Sequence, residues 1–221
     1  MTVACVFRTG GDFVERDVRD LMHGILDHLA TPYQSVCLTD RGTPYLNNTV
    51  NKVIRLEHSW PGWWGKMELF RLPGPLLYFD LDTRIIKDIG MLAAAVCALA
   101  ENRLMMLRGF YKNDICSGIM GWNGDVSWLH DKFGVETSHI SAEFRNFRGG
   151  VSFGSQLGYF RGDQDYIAAR LNDKEHGQVL YAQDLMGGIY SYKVHIRDKA
   201  MPADTRVICF HGKPRPVEVG L

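Results

Sequence analysis

Apolar and polar positions along the first half of the chain form blocks that predict strands followed by helices. The β-branched run Thr2–Arg8 ends at Thr9-Gly10-Gly11, which is typical of a buried strand entering a turn. Apolar residues then recur at spacings of three and four between Val14 and Leu29, and this spacing predicts an amphipathic helix. Similar patterns predict strands at Ser35–Leu38, Lys52–Leu56, Leu76–Phe79 and Leu104–Leu107, and helices at Lys66–Leu72 and Ile89–Ala100. Strands that alternate with helices from the first residue indicate an α/β protein with an open, mostly parallel central sheet flanked by helices.

The second half of the chain has a less regular pattern. It predicts strands at Ser117–Trp122, Val194–Ile196 and Arg206–Phe210, a helix over Asp125–Phe133 with Asp125 as its N-cap, and a helix from Gly162 to Leu171. Residues 134–162 are rich in glycine, serine and aromatic residues, and they predict a long loop of the kind that often carries function. Neither a repeat nor a linker interrupts the sequence, so we expect one domain over residues 1–221.

Composition and charge narrow the class of protein. The 221 residues carry 25 basic and 25 acidic side chains, and this balance, held in both halves, disfavours nucleic acid as a partner. The 5 cysteines form no C-x-x-C pair, which disfavours a zinc ribbon or a disulfide framework and fits a reducing compartment. The longest apolar run, Met91–Ala100, is too short for a transmembrane segment, and the N-terminal run lacks the basic start of a signal peptide. We therefore expect a cytoplasmic protein.

The sharpest chemical signal is Asp80-Leu81-Asp82, directly after the apolar run Leu76–Phe79. Two carboxylates separated by one residue at a strand end can face one divalent cation that keeps phosphate oxygens in its remaining positions. Two solvent-exposed carboxylates at a strand end that bind no metal would show the same sequence pattern. A phosphatase of the haloacid dehalogenase type also carries D-x-D on a strand, but it places a threonine or valine where this chain has Arg84, and it uses the first strand of its core.

Five motifs in order carry a more specific signal. They are Lys66 in Trp64-Gly65-Lys66-Met67-Glu68, the run Gly74–Thr83 that contains Asp80-Leu81-Asp82, Cys116-Ser117-Gly118, Asp163-Gln164-Asp165, and Phe210-His211-Gly212-Lys213-Pro214-Arg215-Pro216. Together they resemble the nucleotide-sugar glycosyltransferases of the GT-A fold, and most closely family 8, the glycogenin and lipopolysaccharide galactosyltransferase group. The resemblance implies a nucleotide-binding half, residues 1–110, and an acceptor and sugar half, residues 111–221, with a metal-binding tail.

The resemblance also implies roles for individual residues. Asp80, Asp82 and His211 would bind Mn²⁺ or Mg²⁺, and carboxylate with imidazole ligation suits manganese. Arg8, Thr9 and Asp12 would line the nucleotide pocket; Lys66, Asp80, Leu81, Asp82, Gly212 and Lys213 would contact the diphosphate; and Asp163, Gln164 and Lys66 would act at the transferring sugar. Ordinary structural roles remain open for several of them, since Thr-Gly-Gly also forms turns and an aspartate before a helix often caps it.

Two departures from the family pattern stand out. Cys116 occupies the place of the usual asparagine, and Val217 rather than tryptophan follows the last proline. In addition, Trp60, Trp63 and Trp64 form a cluster that would serve either as an acceptor platform or, more commonly for such clusters, as a core wedge or partner surface.

The expected activity is transfer of a hexose from a UDP-sugar to a hydroxyl of a glycan, lipid or small molecule, with retention of configuration. Where the acceptor is lipid-linked, the protein would lie peripheral to a membrane. The alternatives are a GT-A-like sugar-phosphate nucleotidyltransferase, the phosphatase, and a non-catalytic sugar-binding or scaffold protein. Of these, the nucleotidyltransferase would need a glycine- and lysine-rich loop after the first strand, and Arg8-Thr9-Gly10-Gly11 is only a faint version of one.

Overall fold

The computed structural model describes residues 1–42, 44–101, 103–112, 114–138, 151–152, 159–171 and 179–221. The strands are β1 Thr2–Phe7, β2 Gln34–Thr39, β3 Lys52–Arg55, β4 Leu76–Phe79, β5 Thr83–Ile85, β6 Leu104–Arg108, β7 Ile115–Trp122, β8 Val151–Ser152, β9 Tyr159–Phe160, β10 Leu180–Tyr181, β11 Ile189–Ser191 and β12 Val207–Cys209. The α-helices are α1 Glu15–His28, α2 Gly90–Cys97, α3 Trp128–Ser138, α4 Asp163–Leu171 and α5 Ala182–Leu185. A 3₁₀ helix spans Gly62–Arg71, and shorter ones span Pro44–Asn48 and Pro216–Val219.

Seven strands form the central sheet in the order β10-β6-β7-β4-β1-β2-β3. The pairings are parallel except at β7, which runs antiparallel to both β4 and β6. From β1 the chain adds β2 and β3 on one side and then crosses to add β4 on the other. The sheet therefore has a topological switch point between β1 and β4, where ligands of open α/β sheets bind. The predicted α/β class with a mostly parallel, helix-flanked sheet is confirmed.

The two faces of this sheet bury different helices. Helices α1 and α2 pack on one face, while the Gly62–Arg71 helix, α3 and α4 pack on the other. Alternation along β4 sends Leu77 and Phe79 to the first face and Leu76 and Tyr78 to the second. Even-numbered positions at this strand end therefore point toward the face that carries the Gly62–Arg71 helix.

A second sheet brings the end of the chain to the same place. Its order is β11-β12-β5, with β12 parallel to β11 and antiparallel to β5. Because β5 follows the D-x-D segment directly, β12 delivers the residues after Cys209 to that segment. The backbone N–H of Phe210 donates to the carbonyl oxygen of Asp82 at 3.2 Å.

Most predicted elements of the first half are confirmed, and the strand Leu76–Phe79 matches to the residue. The predicted strand Val194–Ile196 is wrong, because Tyr192–Ile196 forms one π-helical turn. Asp125 accepts a hydrogen bond from the backbone of Ser127 at 2.8 Å, so it closes a turn before α3 rather than capping a helix that starts beside it. The predicted loop 134–162 begins with the last turn of α3; its residues 139–150 and 153–158 lie outside the described residues.

None of the helices in the described part of the chain is both long and apolar enough to cross a bilayer. The cytoplasmic location stays a prediction.

Candidate active site

A cavity of about 760 Å³ opens at the carboxyl ends of β1 and β4. This volume lies within the range of small-molecule sites, roughly 300–1,000 Å³. It is lined by most of the residues proposed above: Arg8, Asp12, Lys66, Asp80, Leu81, Asp82, Asp163, Gln164, His211 and Gly212. Thr9 and Lys213 are not among the lining residues.

Lys66 forms the centre of a polar cluster. Its Nζ lies 2.8 Å and 3.1 Å from the two carboxylate oxygens of Asp80 and 3.5 Å from Oδ2 of Asp163. It also donates to the hydroxyl of Ser117 at 3.2 Å. Burial lowers the pKa of Lys66, but Asp163 and Asp80 outweigh burial and raise that pKa above its usual value. The ammonium group therefore stays charged.

The two carboxylates that contact this lysine differ in exposure, since the side chain of Asp163 is 6% exposed and that of Asp80 is 27% exposed. Asp163, the first residue of α4, lies against Lys66, and burial raises its pKa despite the attraction of the ammonium group. Asp80 accepts a hydrogen bond from the hydroxyl of Tyr78. Burial, followed by the charge of Asp80, raises the pKa of Tyr78, so the phenol remains a donor.

Asp82 is paired with the C-terminal tail. Its Oδ2 lies 2.6 Å from Nη1 of Arg215, whose Nη2 lies 3.2 Å from Asp12. The guanidinium group also stacks over Phe13, 4.3 Å from the ring centre. Burial and the nearby charge of Asp80 raise the pKa of Asp82 to about 7, against the lowering effect of Arg215 and Lys66. The tail is thus held on the second carboxylate of D-x-D by a charged contact.

His211 lines the cavity but faces a different partner. Its Nε2 lies 2.7 Å from the hydroxyl oxygen of Ser191, and its ring stacks on Phe110 with 5.8 Å between ring centres. Burial and the neighbouring Lys193 lower the pKa of His211, which favours the neutral imidazole that metals bind. The next residue, Gly212, has φ +80°, a backbone conformation that glycine adopts without strain.

Asp80, Asp82 and His211 all line one cavity. Their carboxylate and imidazole groups are ligand types that bind Mn²⁺ or Mg²⁺. Within the described residues, no three potential ligands already stand close enough to hold an ion together. The carboxylates are instead neutralised by Lys66 and Arg215, and the imidazole is held by Ser191. A bound metal would therefore compete with these three partners for its ligands.

At the end of β1, only part of the predicted nucleotide pocket faces the cavity. Arg8 lines it while donating to the carbonyl oxygen of His58 at 3.3 Å. Thr9 donates from its backbone N–H and its hydroxyl to the two carboxylate oxygens of Asp40, both at 2.9 Å. These bonds give Thr9 the turn-forming role that its neighbouring glycines also indicate.

The structure adds site residues that sequence reasoning missed, namely Tyr78, Ser117 and Arg215 as direct partners of the acidic residues or of Lys66. Tyr78 could have been found, because it stands two positions before Asp80 and so shares a strand face with it. The three tryptophans of the predicted cluster differ in burial. Trp60 and Trp64 are core residues, 6% and 0% exposed, whereas Trp63 is 39% exposed and lines the cavity.

Comparison with known proteins identifies similar structures but no family. No protein-family model and no curated protein matches the chain. The crystal structure of the glycosyltransferase GlyE from Streptococcus pneumoniae TIGR4 is similar, with a TM-score of 0.63 and 15% identity over 97% of this chain and 56% of that chain. Its apo form gives a TM-score of 0.63 and 13% identity, over 97% of this chain and 55% of that one. The chain thus spans little more than half of those structures, and at this identity the similarity shows the fold alone: the chain shares the fold of these two glycosyltransferase structures.

Proposed function

We propose that the protein is a metal-dependent glycosyltransferase that moves a hexose from a UDP-sugar to a hydroxyl acceptor. The observation that carries the proposal is the convergence of Lys66, Asp80 and Asp163 in one cavity, with Asp82 two residues along. These residues come from three separate elements and meet beyond β4, at the switch point of a glycosyltransferase fold.

The charges of the site suit a nucleoside diphosphate sugar. Mn²⁺ or Mg²⁺, bound by Asp80, Asp82 and His211, would neutralise charge that develops on the departing diphosphate. Lys66 adds a permanently charged donor, since its pKa is raised by its two carboxylate neighbours. Gly212 lets the backbone approach phosphate oxygens closely.

The first turn of α4 supplies the residues that bind the transferred sugar. Asp163 and Gln164 line the cavity next to Lys66, and their oxygens and amide can hold sugar hydroxyls in one orientation. Retention of configuration is part of the proposal because the family that the sequence resembles retains it. A front-face displacement, in which the acceptor attacks on the leaving-group side, gives that outcome without an enzyme nucleophile.

UDP release from a panel of UDP-sugars with Mn²⁺, compared with the same reactions in EDTA, tests the proposal. Asp82→Ala and His211→Ala should each lower turnover by about a hundredfold, the usual size of losing one electrostatic contact to a developing charge. Asp27→Ala, at an exposed position of α1, is the matched control and should keep wild-type turnover.

The outcomes separate the competing activities. Wild-type turnover in Asp82→Ala and His211→Ala would overturn the metal assignment. Release of pyrophosphate from UTP and a sugar phosphate would identify a nucleotidyltransferase, and release of phosphate from a phosphomonoester would identify a phosphatase.

A further inference from the structure

The Gly62–Arg71 helix exposes one large aromatic side chain to the cavity. Trp64, Met67 and Phe70 of this helix are buried in the core, as is Trp60 just before it, whereas Trp63 is 39% exposed. An exposed part of an indole ring forgoes the hydrophobic stabilisation that its buried neighbours contribute. Trp63 therefore leaves part of its indole surface accessible from the cavity.

Helix geometry ties Trp63 to the transfer chemistry. Residues three apart are aligned along a 3₁₀ helix, about 6 Å apart in rise, so Trp63 and Lys66 stand one above the other on the same side. Lys66 in turn contacts Asp80 and Asp163. A group seated on Trp63 thus lies one helical turn from the cluster at which the donor sugar is expected.

Gly162 fixes the indole against the start of α4. A Cβ built on Gly162 would stand 3.2 Å from Nε1 and 3.6 Å from Cδ1 of Trp63, closer than an ordinary contact on the Nε1 side. Because the next residue is Asp163, the pyrrole edge of the indole rests directly beside a residue of the candidate sugar site. The absence of a side chain at Gly162 is what permits this approach.

Polar side chains line the same cavity as the indole. Gln164, Asp165 and Arg161 line it, and Arg161 forms a two-point pair with Asp165, with Nε to Oδ2 at 2.8 Å and Nη2 to Oδ1 at 3.2 Å. A flat apolar ring with an amide and charged groups around it matches a pyranose, which has an apolar C–H face and a rim of hydroxyls.

From these observations we propose that Trp63, supported by Gly162, is the platform of the acceptor subsite and that the acceptor is a carbohydrate. This inference rests on the proposed function and narrows its acceptor from any hydroxyl compound to a pyranose-containing one. Trp63 positions the acceptor hydroxyl toward Lys66 and Asp163 and takes no part in bond breaking. The glycosyl bond to the diphosphate breaks, the acceptor oxygen takes the sugar, and the acceptor's proton leaves with the diphosphate or to solvent.

Saturation-transfer NMR and isothermal titration on the full chain test the subsite, with and without UDP and Mn²⁺. The probes are methyl α-glucopyranoside, methyl β-galactopyranoside, N-acetylglucosamine and lactose, with octanol and N-acetyltyrosinamide as apolar and peptide hydroxyls. At least one sugar should bind the wild type, and Trp63→Ala should weaken that binding about tenfold, the size expected for losing one stacked aromatic contact with its burial. Trp63→Phe should recover part of it, and Gly162→Ala should weaken it less than Trp63→Ala because the indole must shift by only a few tenths of an ångström.

UDP binding is measured on the same samples. Tyr33→Ala, a partly exposed aromatic residue outside the cavity lining, is the control for losing a ring elsewhere. The inference is overturned if no sugar binds while octanol or N-acetyltyrosinamide does, if no probe binds at all, if Trp63→Ala binds the sugars like the wild type, or if it loses UDP and sugar in parallel. Failure of the wild type to bind UDP with Mn²⁺ would instead count against the proposed function, so the two failures are distinguishable.

Discussion

At the scale of single residues, the site is a set of acids balanced by the chain's own cations. Lys66 neutralises Asp80, and Arg215 neutralises Asp82. The sequence predicted Asp80 and Asp82 because they directly follow a recognisable apolar strand, whereas Lys66 was predicted from the resemblance to the glycosyltransferase family. It could not predict the contact of Arg215, since a pair 133 positions apart depends on how β12 aligns with β5. Local patterns carry no information about that register.

Replacing Arg215 should strengthen Mn²⁺ binding, an effect that is not expected if Arg215 serves only to bind phosphate. Arg215→Ala removes the cation that competes for Asp82, so in the absence of nucleotide Mn²⁺ should bind about fivefold more tightly, equivalent to about 1 kcal/mol. Electron paramagnetic resonance of free Mn²⁺ measures this directly. Arg215→Lys keeps the charge and should lie between the two proteins, and Lys213→Ala, in the exposed part of the tail, should match the wild type. Equal or weaker affinity in Arg215→Ala would show that Arg215 does not compete with the metal.

The raised pKa of Asp82 predicts a pH dependence of stability. The group titrates near 7 in the folded protein and near 4 when unfolded, so between those values the folded state holds a proton that the unfolded state releases. Its contribution to the free energy of unfolding is therefore largest in acid and falls as the pH rises from about 4 to about 7. Asp82→Asn should remove this dependence.

Urea unfolding with EDTA at pH 5 and pH 8 checks that expectation. On going from pH 8 to pH 5, the wild type should gain stability relative to Asp82→Asn by on the order of 2 kcal/mol. Asp27→Asn serves as the exposed control, and its pH profile should follow the wild type. Identical pH profiles for the wild type and Asp82→Asn would mean that Asp82 titrates near its ordinary value.

At the scale of elements, strong periodic patterns predicted well and short segments did not. The apolar pattern alone identifies the secondary structure of β1, β2, β4 and α1, because each contains enough apolar positions at strand or helix spacing. The residues of Val194–Ile196 favour a strand, yet the backbone there forms local hydrogen bonds: the Ser191 hydroxyl accepts from the backbone N–H of Val194, and the His195 ring accepts from that of Ser191. Such side-chain bonds offer the backbone an alternative to a sheet, and they outweigh β propensity over so few residues.

The Gly62–Arg71 helix, which carries both Trp63 and Lys66, depends on a buried anion. The carboxylate of Glu68 is fully buried, accepts from the backbone of Glu57 at 2.7 Å and of His58 at 2.8 Å, and lies 3.1 Å from Arg71. Glu68→Ala leaves these donors without their acceptor, so the free energy of unfolding should fall by about 3 kcal/mol. Chemical denaturation measures the loss.

Glu57→Ala is the matched control, since Glu57 also pairs with Arg71 but its side chain is 62% exposed. It should cost less than about 1 kcal/mol. If the two variants were equally stable, the helix would be held by its apolar face alone, and the placement of Lys66 would not depend on Glu68.

At the scale of the whole molecule, the two halves suggested by the sequence, residues 1–110 and 111–221, contribute to the same central sheet and the same hydrophobic core. β7, from residues after 110, lies between β4 and β6 and covers one edge of β4, the strand that D-x-D directly follows. The core under that face also takes α3 and α4, including Phe133 and Tyr166. Residues 1–110 therefore do not supply a complete core by themselves.

A fragment of residues 1–110 should consequently fail to fold on its own, although it contains Arg8, Lys66, Asp80 and Asp82. Without β7, α3 and α4, the strand β4 becomes an open edge and the apolar face of the Gly62–Arg71 helix is uncovered, so too little apolar surface is buried to offset chain entropy. The fragment should show no cooperative thermal transition by near-ultraviolet circular dichroism, and UDP with Mn²⁺ should not stabilise it. The full chain should melt in one transition that UDP with Mn²⁺ raises. A cooperative transition in the fragment would mean that the nucleotide half is an autonomous folding unit and that β7 adds to the sheet without completing it.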